Sequence, residues 1–234
     1  MTEEGVRLSI AVMSVPQRAA HVESMIDRLT DQIADAQEKG IDVTGVSVYV
    51  DEAREGPWAS WRGAWRLHEQ YDDRTHHVIL QDDILFGADL PHTLAALARS
   101  RPDDVVSGFL PRKSVEQASA EGLHWVRTRR FLWAQCVFMP VSLGDELLRW
   151  ADRHEAEFGA EWKNHDDVRI AAFIRARGEP VYVTVPNIVE HIGDELGSVM
   201  GHHGPAGRRR ARVWVGRDSF GANYNWEDLR YVRE

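Results

Sequence analysis

Three short stretches carry side chains that could do chemistry together: Gln81-Asp82-Asp83, His165-Asp166-Asp167 and Glu190-His191-Ile192-Gly193. The first ends the apolar run Val78-Ile79-Leu80, which is how a buried parallel strand reads when its carboxyl end opens into a ligand crevice. The second begins a helical pattern, and His191 follows a late strand. A divalent ion carrying a diphosphate takes only one or two carboxylates and an imidazole from the protein, because phosphate oxygens and water complete its shell. This sparse set matches that need. Each stretch also has a plainer reading: Asp82-Asp83 as turn residues, Asp166 as a helix cap, His191 as a structural histidine. If the strand runs on through Asp83, alternation puts Gln81 and Asp83 on one face and Asp82 on the other.

The elements that must position these groups follow from periodicity. Leu8 to Ser14 reads as a first strand, broken by Pro16 before a helix from about Arg18 to Lys39 with Val22, Met25, Ile26, Leu29 and Ile33 inward. Gly45 to Val50 is a second strand running into Asp51, again acid at a carboxyl end. Strand, helix, strand in so few residues argues a crossover and a parallel sheet. A helix over Gly56 to Gln70 carries Trp58, Trp61 and Trp65 as one stripe, suited either to core packing or to stacking on a base or sugar. The stretch His76 to Phe86, a helix over Leu90 to Ser100 and a strand over Asp104 to Leu110 complete an α/β half.

The second half differs. Pro111 to Arg130 has few apolar residues and predicts a long irregular excursion with a hairpin around Leu123 to Arg127. Phe131 to Pro140 rejoins the sheet, helices follow over Ser142 to Phe158 and from Asn164 to Gly178, and Val181 to Val185 is a strand. The tail holds Gly201-His202-His203-Gly204 and the run Arg208-Arg209-Arg210-Ala211-Arg212.

Lys and Arg total 28 against 37 Asp and Glu, a net charge of −9 that disfavours indiscriminate binding to nucleic acid or anionic membrane. The single cysteine, Cys136, excludes an intramolecular disulfide and a cysteine-rich zinc site. The acidic start Met1-Thr2-Glu3-Glu4 lacks signal-peptide character, and no uncharged apolar run reaches the roughly 18 residues of a membrane span, so a soluble cytoplasmic protein is expected. No G-x-G-x-x-G follows the first strand and no Walker lysine loop exists. His76-His77 and His202-His203 are adjacent pairs without zinc-ligand spacing.

Taken in order, Val12-Met13-Ser14-Val15-Pro16-Gln17-Arg18, Gln81-Asp82-Asp83, His165-Asp166-Asp167 and Pro186-Asn187-Ile188-Val189-Glu190-His191-Ile192-Gly193 resemble the GT-A fold nucleotide-sugar glycosyltransferases in their compact form. The resemblance implies an α/β, Rossmann-like single domain over residues 1–234. Its mostly parallel central sheet would be flanked by helices, with a smaller mixed sheet in the second half. Residues 1–110 would bind the nucleotide, and 111–234 the acceptor. Gln81-Asp82-Asp83 would stand at the family's D-x-D motif, with Gln81 replacing the usual first acid. Asp83 and His191 would hold Mn²⁺ or Mg²⁺ on the diphosphate of a nucleotide-sugar donor, a UDP-sugar above all. Asp82 would meet ribose or sugar, and Ser14, Pro16, Arg18 and Asp51 would meet the nucleotide. For an inverting transfer, Asp167 is the first candidate base and Asp166 the second.

Small enzymes of this type include phage transferases that act on hydroxymethylated pyrimidines in DNA. That likeness makes DNA one acceptor to expect, reached through Arg127–Arg130 and Arg208–Arg212, and would place a viral chain in host cytoplasm. Protein or glycan acceptors, a nucleotidyltransferase of similar fold and a non-catalytic binding module are the alternatives.

Overall fold

The structure, a computed structural model, describes residues 5–130, 133–159, 164–196 and 209–234. Its first strand, β1 (Arg7–Ser14), is buried at every position after Arg7, so it must lie between two covered faces. It does: β1 is flanked by β2 (Asp42–Val50) and β3 (His76–Gln81), both parallel to it. Helix α1 (Ala19–Glu38) makes the crossover and buries Val22, Met25, Leu29 and Ile33.

Beyond β3 the strands are β5 (Val105–Ser107), β6 (Trp125–Thr128), β7 (Cys136–Pro140), β8 (Val181–Thr184) and β10 (Tyr231–Arg233), in the overall order β10-β6-β8-β5-β7-β3-β1-β2. Strands β1, β2, β3, β5 and β8 run one way and β6, β7 and β10 the other. The result is a mixed α/β architecture: one large, mostly parallel sheet with helices against it, and a two-stranded antiparallel sheet of β4 (Ile84–Phe86) and β9 (Val189–His191). Helix α3 (Leu90–Ser100) follows β4 and packs beside α1. The two halves interlock, because β5 from the first lies between β7 and β8 from the second.

Several expectations change here. The run His76 to Phe86 is two strands, split by a turn at Asp82-Asp83, so β4 leaves the main sheet to meet β9. Pro111 to Arg130 holds a helix, α4 (Lys113–Ala120), and the single strand β6, with no hairpin at 123–127. Only Val115 and Ala118 of α4 are buried, too thin a stripe to register as a period. The start of the strand expected from Phe131, and the pair His202-His203, fall outside the described residues.

The tryptophan stripe is core. Helix α2 (Pro57–Arg66) stacks Trp58 on Trp61 and Trp61 on Trp65, with ring centroids 5.5 and 5.2 Å apart and all three side chains buried. Trp65 reaches so close to helix α5 (Val141–Arg153) that a Cβ on Gly144 would lie 1.8 Å from its ring. Beneath the stripe, His77 is neutral: burial pushes it down to about 3, with Ser9 Oγ and the Ala64 carbonyl on its two nitrogens. No helix among the described residues is long and apolar enough to cross a membrane.

Because Trp61 is wholly enclosed by its two stacked neighbours, truncation leaves a cavity that the helix cannot close. Trp61→Ala should lower unfolding free energy in urea by about 3–5 kcal/mol. A loss below about 1 kcal/mol would mean that the stripe is not packed as described.

Candidate functional site

Parallel pairing places Met13 of β1 beside Gln81 of β3, so the residues after β1 and those after β3 emerge together at one sheet edge. There the Val15 amide donates to Asp82 Oδ2 at 3.0 Å, and Arg18 Nη1 lies 2.5 Å from Asp82 Oδ1 and 2.9 Å from Asp83 Oδ2. One guanidinium therefore serves two adjacent carboxylates. Strict alternation fails at this point because the strand stops at Gln81 and the turn brings both acids toward Arg18. Asp82 and Asp83 are thus turn residues and members of a charged cluster at once.

The small sheet supplies the histidine. Ile84 of β4 sits directly opposite His191 of β9, and the Ile192 amide donates to the Asp83 carbonyl at 2.8 Å. These bonds bring His191 Nε2 to 3.3 Å from Asp83 Oδ2, although the two residues lie far apart in sequence. Helix α7 (Gly193–Leu196) starts immediately after. A Cβ on Gly193 would lie 2.5 Å from His191 Nε2 and 2.8 Å from Asp83 Oδ2, so only glycine leaves this corner open. Asp83 Oδ1 and His191 Nδ1 are buried and find no hydrogen-bond partner among the described residues.

These residues fit a divalent cation. Asp83 Oδ2 and His191 Nε2 lie 3.3 Å apart, close enough for both to hold one ion. No three His, Cys, Asp or Glu side chains among the described residues form an ion cage, so oxygens of a bound ligand and water would supply the remaining positions. Burial pushes Asp83 upward, but His191 and Arg18 outweigh it and hold the carboxyl below its usual range. For Asp82 burial prevails over Arg18 and the pKa rises.

Helix α6 (Asp166–Arg177) delivers the other acids. Gln81 Nε2 donates to Asp166 Oδ2 at 3.3 Å, so Asp166 joins the edge that carries Asp82 and Asp83. Burial, then the charge of Asp167, pushes Asp166 up to about 7. Asp167 is more open, accepts from the Val168 amide at 2.8 Å and is raised by burial. Of the two, Asp166 is the one tied through Gln81 to the strand that carries the acids.

Ser14, Val15 and Pro16 line a groove of about 380 Å³ with Ala19, Val22 and Ile26 of α1 and Val50 of β2. Asp51, expected to face a nucleotide, turns inward. Its oxygens accept from the Glu55 and Gly56 amides, each at 2.9 Å, and from Ser60 Oγ at 3.2 Å, shaping the loop before α2. Asp82 has both oxygens engaged by Val15 and Arg18, and so positions that loop. The two basic stretches do not form one face. Arg127–Arg130 spans the end of β6 at the opposite sheet edge, while Arg209 lies over Trp133 and acts on Asp167. Arg208 is outside the described residues. Two contributors escaped the sequence reading: Gly193, whose need is purely spatial, and Gln81 as the partner of Asp166.

No family model and no curated protein matches this chain. Among solved structures it is similar to mannose-1-phosphate geranyltransferase from Thermus thermophilus, with 11% identity over 76% of this chain and 73% of that one, at a TM-score of 0.40. It is also similar to the inositol-1-phosphate CTP transferase from T. maritima, with 12% identity over 77% and 85% and a TM-score of 0.35. Overlap this loose does not carry an activity from one chain to another, so the functional reading rests on the side chains themselves.

The raised Asp166 has a consequence for stability. The folded chain keeps that proton between about pH 4 and about pH 7, where the unfolded chain has released it, so this group's contribution falls as pH rises through that window. Asp166→Asn should therefore gain stability relative to the parent between about pH 5 and about pH 8, measured by thermal melts. An unchanged difference across that range would mean that Asp166 titrates normally.

Proposed function

We propose that this chain is a metal-dependent glycosyltransferase that moves a sugar from a nucleotide-sugar donor, a UDP-sugar by preference, to a hydroxyl acceptor. The observation that carries the reading is the meeting of Asp83 and His191 over the corner kept open by Gly193. A divalent ion held by these two would neutralise the diphosphate leaving group and so ease rupture of the anomeric bond.

The chain's own residues do the rest. Arg18, poised between the two strand-end acids, offers a cation to the diphosphate. The groove beside Ser14 and Pro16, walled by Val22, Ile26 and Val50, is the natural seat for the nucleoside. Asp82 fixes the Val15–Arg18 loop. An inverting transfer needs a base for the acceptor hydroxyl, and Asp166, pushed up to about 7 and oriented by Gln81, suits that task better than Asp167.

The acceptor class is a hydroxyl, with 5-hydroxymethylpyrimidine in DNA one member beside protein and glycan hydroxyls. Of the described basic tail residues, Arg210 pairs with Glu195 and Arg212 with Glu116, while the charge of Arg209 acts on Asp167.

Nucleotide sugars incubated with Mn²⁺ should be turned over, by hydrolysis or by transfer to one of these acceptors. Asp83→Ala should abolish turnover, and Asp166→Asn should lower kcat by roughly 10²-fold or more with little change in donor KM. Turnover of nucleoside triphosphate with a sugar phosphate, releasing pyrophosphate, in place of glycosyl transfer would overturn the assignment.

A further inference from the structure

A second concentration of charge lies away from this site. Arg127, Thr128 and Arg129 at the end of β6, Pro180 before β8, and Arg233 and Glu234 at the end of β10 line a cavity of about 400 Å³. Register explains the convergence: β10 and β6 run parallel with Arg233 beside Arg127, and Thr128 of β6 lies against Val181 of β8. This is the edge where β8 begins, opposite to the edge where β3 ends at Gln81.

The three guanidinium groups have only neutral partners here. Arg127 Nη1 donates to Tyr231 Oη at 3.3 Å and lies over that ring at 5.4 Å, while its Nε is buried without a partner. Arg129 Nη2 donates to the Gly178 carbonyl at 3.0 Å. Arg233, then Arg127, draws the Tyr231 hydroxyl below its ordinary pKa, the mark of a local positive field. The nearest acids are occupied: Glu234 is held by Arg112 and by Ser114 Oγ, and Glu179 by Arg177 at 2.9 Å. Among the described residues no carboxylate lies within 4.0 Å of Arg127, Arg129 or Arg233. In a chain of net charge −9, where acids outnumber bases, three such arginines around one cavity call for an anion.

We propose that this cavity is a binding site for a small phosphorylated molecule, with a di- or triphosphate bridging Arg127, Arg129 and Arg233. Guanidinium forks match phosphate oxygens bidentately, and the volume is that of a small-molecule site. The site is separate from the Asp83–His191 corner and does not depend on the activity proposed there.

Calorimetric titration of the full chain with inorganic triphosphate, free of divalent metal, tests the assignment. One equivalent should bind. Binding should weaken by at least about tenfold in the double variant Arg129→Ala and Arg233→Ala. Both of these residues are exposed, and an unchanged melt of the double variant would show that the fold is intact. No binding to the parent chain, or equal binding to the double variant, would overturn the proposal. So would tighter, steeply salt-dependent binding of a short single-stranded oligonucleotide, which would make the cavity part of a nucleic-acid surface.

Discussion

Two adjacent carboxylates at the end of a buried strand repel one another and lose hydration, and the arginine that bridges them is the constraint around which this molecule is arranged. Asp82 and Asp83 are 6% and 9% exposed, and Arg18 touches both. Taking one partner from a buried charge cluster of this kind typically costs about 3–5 kcal/mol, because the remaining charge stays desolvated. The sheet meets that requirement by pairing β1 with β3 in register, so that the loop carrying Arg18 leaves beside the acids. The β4–β9 ladder then brings His191 to the same Asp83 oxygen that Arg18 meets.

This arrangement gives each acid its own part. Asp82 receives the Val15 amide and shapes the loop that borders the groove. Asp83 faces Arg18 and His191 with one oxygen and keeps the other unpaired. Asp166, joined to the same edge through Gln81, is held near neutrality in pKa by burial and by its neighbour Asp167. A cluster with one acid kept ionised and another raised toward 7 can bind a cation and move a proton in the same space. Helix α6 begins at this cluster and ends at Gly178, whose carbonyl receives Arg129 beside the second cavity.

Much of this was legible in the chain, and what was not has physical causes. The apolar runs of β1 and β3, the period of α1 and the acids at strand ends are local signals, and they located the sheet edge and its charges. Strands β4, β9 and β10 have three residues each, too few to show a period, so their pairing is set by tertiary contact alone. Helix α4 hides because only Val115 and Ala118 are buried on it. Asp51 looked like Asp83 in sequence, an acid after an apolar strand, but the following Gly56 and Ser60 offer donors that turn it inward. Gly193 stood in the Glu190–Gly193 stretch, but the reason for a glycine there was not legible, since it depends on two side chains that only the folded ladder brings together.

The central claim, that Asp83 and His191 share one divalent ion beneath a diphosphate, is tested most directly by anomalous scattering from crystals grown with Mn²⁺ and UDP. The account predicts one Mn²⁺ peak about 2.1–2.3 Å from an Asp83 carboxylate oxygen and from His191 Nε2, bridged to phosphate oxygens. A diphosphate bound with no Mn²⁺ at that corner, or Mn²⁺ seated elsewhere on the chain, would contradict it.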